Sequence, residues 1–242
     1  MRALLLAAGL GTRLRPLTDR IPKCLVPIRG KPLLDYWLDA LLTCSEIDRI
    51  MINTGYLAEE VRRHVESSRW CDRIDLAHEP RLLGTGGTVH ANRAWLTGGP
   101  FLVAHADNLS RFDLASFIAR HRNRPAAAAI TMMTFDTDTP QSCGIVEEDG
   151  NGLVIAFHEK KANPPGRRAN GAVYIFEPVV SAFLADLKKP VIDLSTEVIP
   201  AFLGRICTFH NDVYHRDIGT PESLTRAEHD YSTLSVPRAR SF

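Results

Sequence analysis

The opening MRALLLAAGLGTRLRPLTDRIPKCLVPI restricts the fold more than any other stretch of the chain. Residues 3–8 are six apolar side chains in a row and read as a strand buried on both faces, the kind found in parallel sheets. They run directly into Gly9 and Gly11, with Arg13, Arg15 and Lys23 close behind. Glycine lets the backbone turn sharply and approach a ligand where a Cβ would collide. Successive N–H groups in such a turn form a concave nest suited to phosphate oxygens, and the nearby cations favour the same charge. Two familiar templates fail: no Gly-Lys-Ser/Thr follows, and the third glycine of G-x-G-x-x-G is replaced by Leu14. Spacing alone also allows a surface loop with solvated charges.

Beyond the opening, strand and helix signals alternate. Apolar spacing predicts helices over 32–43, 57–66, 87–96 and 114–121, and strands over 49–53, 72–77, 101–105 and 126–133. Such alternation implies βαβ units with right-handed crossovers and a largely parallel sheet. From about residue 136 the pattern becomes short strands, 144–147, 154–159 and 171–176, joined by turns such as EEDGNG, a hairpin signature. Helices over 178–187 and 195–202 follow, and the polar residues 232–242 are expected to be a flexible tail. The predicted fold is α/β, a Rossmann-like three-layer sandwich with a mostly parallel mixed central sheet and a small β-hairpin region. We expect one domain over 1–231, with its two parts meeting near residue 135, and no internal repeat.

A formal charge of +1 over 242 residues argues against a dedicated nucleic-acid binder, so an anion site must be local. Five scattered cysteines without a C-x-x-C pair suit reduced thiols and a cytoplasmic setting. No apolar run approaches the ~18 residues of a membrane span, and no secretory signal is recognisable. The oligomeric state is left open, with a homodimer among the arrangements allowed.

The letters L-A-A-G-L-G-T-R-L-R-P-L-T followed by P-K-C-L-V-P-I closely resemble the signature of the sugar-1-phosphate nucleotidyltransferases. The resemblance implies that Ala7, Ala8, Gly9, Gly11, Thr12 and Arg13 wrap a nucleoside triphosphate. Arg13 would steady the leaving pyrophosphate and Lys23 the attacked α-phosphate. Leu83-Gly84-Thr85-Gly86-Gly87-Thr88 resembles the family's second glycine turn, with Gly84, Thr85 and Gly86 against base and ribose. Glycines suit that turn because a planar base can lie on bare backbone. Glu79, just before it, could accept hydrogen bonds from guanine N1–H and N2–H₂.

Asp107 and Asp217 each end a strand-like run, and acids from distant sequence can converge on one cation; either alone would more commonly be a turn or cap acid. By resemblance they hold Mg²⁺. The family commonly has Asn-Gly-Asp where this chain has His105-Ala106-Asp107, and His215 lies two residues before Asp217, so a His₂Asp₂ site for a softer metal is an alternative.

Phe157-His158-Glu159-Lys160 resembles the family's F-x-E-K-P, which would put Glu159 on the sugar hydroxyls and Lys160 on the sugar phosphate. Lys161 replaces the proline and competes for that role. Asn170-Gly171-Ala172 resembles N-G-G, with Asn170 touching the sugar, and Gly144 lies where the family has a glycine near the ring. The implied reaction joins an NTP and a sugar 1-phosphate into an NDP-sugar with release of pyrophosphate. The chain most resembles guanylyltransferases acting on mannose or D-glycero-α-D-manno-heptose 1-phosphate. Uridylyltransferases of glucose or N-acetylmuramate type are the alternative within the class. From other classes, Asp136-Thr137-Asp138 spells a glycosyltransferase D-x-D, and a non-catalytic NDP-sugar-binding regulator is conceivable.

Overall fold

The computed structural model describes residues 1–233. The first part of the chain runs β1 (Ala3–Leu6), β2 (Pro27–Ile28), β3 (Lys31–Pro32), α1 (Leu33–Leu42), β4 (Ile50–Thr54), α2 (Ala58–Glu66), β5 (Ile74–His78), α3 (Gly84–Ala91), β6 (Phe101–His105), β7 (Asn108–Arg111) and α4 (Leu114–Arg122). It continues through β8 (Ile130–Asp136), β9 (Gly144–Glu148), β10 (Val154–Glu159), β11 (Arg168–Phe176), α5 (Pro178–Asp186) and a π-helical turn (Leu194–Val198) leading into α6 (Ile199–Ala201). It closes with β12 (Ile206–His210), β13 (Tyr214–Asp217) and α7 (Pro221–Thr233).

Nine strands form one mixed sheet along the path β10-β9-β11-β6-β1-β4-β5, with β8 beside β11 and β12 beside β8. β1 lies parallel to β4 and β6, and β4 parallel to β5. β11 runs antiparallel to β6 and β8, which makes the sheet mixed. Alternation along β1 explains its continuous apolar run. Leu5 packs with Leu34 and Leu38 of α1 and with Phe117 of α4, whereas Leu4 packs with Val89 of α3 and Val180 of α5. Helices therefore cover both faces, a three-layer α/β sandwich.

Several boundaries differ from expectation. The first strand stops at Leu6, because Ala7 gives its N–H to the Asn53 side chain rather than to a neighbouring strand. The strand expected over 126–133 begins at Ile130, since Ala128 N–H closes a turn on Pro125 O. The helix expected over 87–96 spans Gly84–Ala91. β7, β12 and α7 were not anticipated. Helix α7 carries the chain through Thr233, so of the tail expected over 232–242, residues 234–242 lie outside the described residues. All five cysteines are free, and no helix among the described residues is long and apolar enough to cross a membrane.

Candidate active site

A cavity of about 190 Å³ opens at the carboxyl ends of β1, β4 and β6, lined by Ala7, Ala8, Gly9, Lys23, Glu79, Gly84, Thr85 and Asp107 among others. Open cavities at the strand carboxyl ends are where α/β sheets bind ligands. Gly9 has nothing within 4 Å of the position a Cβ would take, so its backbone faces open space. Gly11 does not line the cavity. Its φ of +63° sets the turn, and a Cβ there would meet Thr18 at 3.0 Å and Lys23 at 3.2 Å. Thr18 Oγ1 donates to Gly11 O at 2.7 Å and fixes the loop from below. Thr12 and Arg13 follow in a short 3₁₀ turn beyond the cavity wall.

Asp107 and Asp217, 110 positions apart by their numbers, are brought together by a two-stranded ladder. β7 pairs antiparallel with β13, setting Asn108 opposite Asp217, and Ile218 N–H donates to Asp107 O at 3.0 Å. Lys23 Nζ lies between the carboxylates, 2.7 Å from Asp107 Oδ2 and 3.1 Å from Asp217 Oδ1, with its side chain only 8% exposed. Arg13 approaches Asp217 at 3.6 Å from the solvent side. A Cβ at Gly219 would fall 2.5 Å from Asp217 Oδ2 and 2.7 Å from the Arg13 guanidinium, which explains the glycine of D-x-G-T. Burial alone would raise Asp107, but the Lys23 ammonium, aided by His105, outweighs it and holds the carboxyl below its ordinary range.

Two carboxylate oxygens already focused on one cation form a hard donor set, and phosphate oxygens would complete it, so these residues fit Mg²⁺. Among the described residues no group of three or more His, Cys, Asp and Glu side chains is arranged to hold a metal, so the His₂Asp₂ alternative is not assembled. His215 instead meets Ser110 through Nδ1 and packs at a tilt against Phe135, and burial pushes its imidazole down to about 3. Burial pushes the Cys24 thiol on the cavity wall up to about 12, so it remains a protonated thiol.

The residue that sequence reading missed is Asn53, 3% exposed at the end of β4. Its Oδ1 accepts the Ala7 N–H at 2.6 Å, and Nδ2 donates to Glu79 Oε1 at 3.1 Å and Thr88 Oγ1 at 3.3 Å. The available signal was a buried amide closing the apolar run Ile50–Met51–Ile52.

The second glycine turn is built for a different reason than expected. Gly84 has φ +74°, and a Cβ there would sit 2.4 Å from Ile192 O; one at Gly86 would sit 2.8 Å from Ile192 Cγ2. The N–H groups of Gly86 and Gly87 both donate to Ile192 O, at 2.9 and 3.1 Å. These glycines admit a close-packed loop of the protein itself. Gly84 and Thr85 still reach the cavity, but Gly86 does not line it.

On the other side of β6, a Cβ at Gly144 would sit 2.3 Å from the Phe157 ring and 2.7 Å from Glu159 Oε2, so glycine makes room for both. Lys160 pairs with Glu159 at 3.3 Å, is 67% exposed, and has φ +47°. Asn170 donates to Tyr174 OH at 2.6 Å and accepts the Ala172 N–H at 2.9 Å across a bulge in β11. Ala172, where the resembling motif has glycine, has φ +52°. Thr85 Oγ1 donates to Asp193 Oδ2 at 3.2 Å, tying the α3 turn to the π-helical turn. The D-x-D acids are engaged elsewhere, Asp136 with Arg168 at 3.1 Å and Asp138 with Arg226 at 2.8 Å.

A family model described as "Nucleotidyl transferase" matches residues 2–233. A UTP–glucose-1-phosphate uridylyltransferase from Synechocystis is 32% identical over 87% of this chain and 57% of its own length. A mannose-1-phosphate guanylyltransferase from Mycobacterium tuberculosis is 31% identical over 94% of this chain and 64% of its own length. The chain thus spans about three fifths of these curated relatives. Among solved structures, HddC from Yersinia pseudotuberculosis superposes with a TM-score of 0.76 at 25% identity, covering 95% of this chain and 99% of that one. Together with the cavity at the strand ends and its glycine loop, these matches establish that the chain belongs to the nucleotidyl transferase family.

Proposed function

We propose that this chain transfers a nucleotidyl group from a nucleoside triphosphate to a sugar 1-phosphate, giving an NDP-sugar and pyrophosphate. The observation that carries the reading is the focus of Asp107, Asp217 and Lys23 on one point beside an open glycine loop. A phosphate oxygen of the sugar 1-phosphate attacks the α-phosphorus in line, and pyrophosphate leaves on the opposite side. A phosphate monoester dianion needs little help from a base; the obstacle is repulsion between two anions. Lys23 neutralises charge at the α-phosphate, and exposed Arg13 does so at the departing pyrophosphate. The backbone at Gly9 gives the phosphates room, Lys160 orients the sugar phosphate, and Glu159 accepts hydrogen bonds from the sugar hydroxyls. Asp107 and Asp217 would hold Mg²⁺, which would supply further positive charge to the site.

For the substrates we favour GTP with mannose 1-phosphate or D-glycero-α-D-manno-heptose 1-phosphate. Support comes from Glu79 as a carboxylate acceptor on the cavity wall and from the guanylyltransferase relative. The similar identity of the uridylyltransferase relative favours UTP with glucose or N-acetylmuramate 1-phosphate as the second reading. Retention of Arg13, Lys23, Asp107 and Asp217 speaks against a non-catalytic regulator. Five free thiols suit the cytoplasm. A turnover panel of four NTPs against these sugar 1-phosphates, read as pyrophosphate release, is the test. Fastest release with GTP and a manno-configured sugar upholds the first reading, and faster release with UTP replaces it.

A further inference from the structure

Asn53 is a polar side chain placed where water barely reaches, and its carboxamide orientation is determined by its partners. A backbone N–H can only face an acceptor, so the atom meeting Ala7 N–H at 2.6 Å is the oxygen Oδ1. The other end, Nδ2, must then donate, and it does so to Glu79 Oε1 and Thr88 Oγ1. The Thr88 hydroxyl spends its own proton on Gly84 O at 3.1 Å, which leaves its lone pairs for Asn53. Reversing the amide would set donor against donor in a buried place, at the cost of an unsatisfied group.

This network has a consequence for Glu79. Its N–H is fixed on Thr54 O at 2.7 Å, its Oε1 is tied to Asn53, and the residue is 7% exposed on the cavity wall. Its Oε2 makes no hydrogen bond among the described residues. An ionised carboxylate only accepts. The wall therefore presents one acceptor atom in one place.

We infer that Asn53 is a positioning residue for base selection: by holding Glu79 Oε1 it leaves Oε2 to accept a ring N–H, selecting triphosphates of guanine, uracil or thymine over those of adenine or cytosine. Guanine N1 and the N3 of uracil and thymine carry a hydrogen. Adenine N1 and cytosine N3 are bare lone pairs that a carboxylate oxygen repels, and their amino hydrogens lie one atom round the ring, so either base must shift to offer one to Oε2. The inference rests on the cavity being the nucleotide site.

Equilibrium binding of GTP, UTP, ATP and CTP, measured calorimetrically with Mg²⁺ present, tests it without knowledge of the sugar. The intact chain binds GTP or UTP at least about tenfold more tightly than ATP or CTP, the size expected of a hydrogen bond to a charged group. In Glu79→Gln, Asn53 Nδ2 still takes the side-chain oxygen, so the new NH₂ faces the base and the preference reverses toward ATP and CTP. In the double variant Asn53→Asp/Glu79→Gln, the carboxylate at 53 draws that NH₂ inward, the amide oxygen turns to the base, and preference for GTP and UTP returns. A purely structural role gives no such restoration. A folded double variant that keeps the single variant's preference overturns the proposal. Asn53→Ser, which loses the hold on Glu79, lowers the GTP-to-ATP affinity ratio; an unchanged ratio overturns it equally if the double variant does not fold. Failure of the underlying reading looks different, because Glu79→Gln then leaves all four affinities where they were.

Discussion

The two sides of β6 are built to different standards. On the side of β1 and β4, the enclosed side, the central cation and amide are buried and cross-linked: Lys23 is 8% exposed between Asp107 and Asp217, which are 36% and 51% exposed, and Asn53 joins three elements. On the side of β11, β9 and β10, the open side, the cation is exposed, Glu159 and Asn170 are half-buried, and the bonds stay local. Lys160 is 67% exposed and salt-bridged to Glu159, the neighbouring residue, and Asn170 leans on its own strand. Buried, fully bonded groups hold a fixed geometry, which chemistry at a phosphorus requires. Exposed groups bend to the shape of what they bind. On the proposed function, turnover belongs to the first side and sugar recognition to the second.

The largest effect should therefore come from the enclosed side. Asp107→Asn or Asp217→Asn should lower kcat by about a hundredfold or more, the scale of losing one electrostatic contact to a transition state. Both variants should still unfold cooperatively, because the β7–β13 ladder that carries the two positions is made by the backbone. Steady-state kinetics with thermal denaturation checks both halves. Turnover near that of the intact chain in either variant would remove the contrast between the two sides.

A smaller effect belongs to the open side. Lys160→Met should raise KM for the sugar 1-phosphate by about tenfold while leaving KM for the NTP within a factor of two, consistent with loss of one charge-assisted hydrogen bond. Lys161→Met should do less, since Lys160, directly after β10, is the residue whose ammonium meets Glu159. Reversal of that order would move the sugar phosphate to Lys161. A matching rise in the NTP KM would mean that the two sides are not separable.

What the sequence disclosed follows the same division. The glycine loop was legible because its cause is local: two glycines after a buried strand, and cations within reach of them. The convergence of Asp107 and Asp217 was not local: their places at strand ends allowed it, and the family resemblance singled them out; the ladder that achieves it pairs segments more than a hundred residues apart. Asn53 went unread because its role depends on the neighbours β1, β5 and α3, none of which borders it in sequence. The second glycine turn was recognised, but its reason was not, since Ile192 enters from a loop far along the chain. Strands as short as β2 and β3, two residues each, are too brief for a period to emerge, and the alanines at 126–129 fit strand and turn alike.

The smallest effect sharpens the comparison by its sign. Ala172 lies in the β11 bulge at φ +52°, a left-handed conformation costing a residue with a Cβ roughly 1–2 kcal/mol that glycine does not incur. Against this, glycine loses more chain entropy on folding, roughly 0.5–1 kcal/mol. Ala172→Gly should then stabilise the protein by up to about 1 kcal/mol, or a rise of a few degrees at most in Tm for a chain of this length. Because Ala172 N–H is the group that Asn170 Oδ1 accepts, easing the turn frees Asn170 as well. On the open side that loosening should appear as a modest change in KM for the sugar 1-phosphate with kcat unaltered. A fall in kcat would instead tie the bulge to the enclosed side, as if the strain in β11 were holding Lys23 and its carboxylates in place.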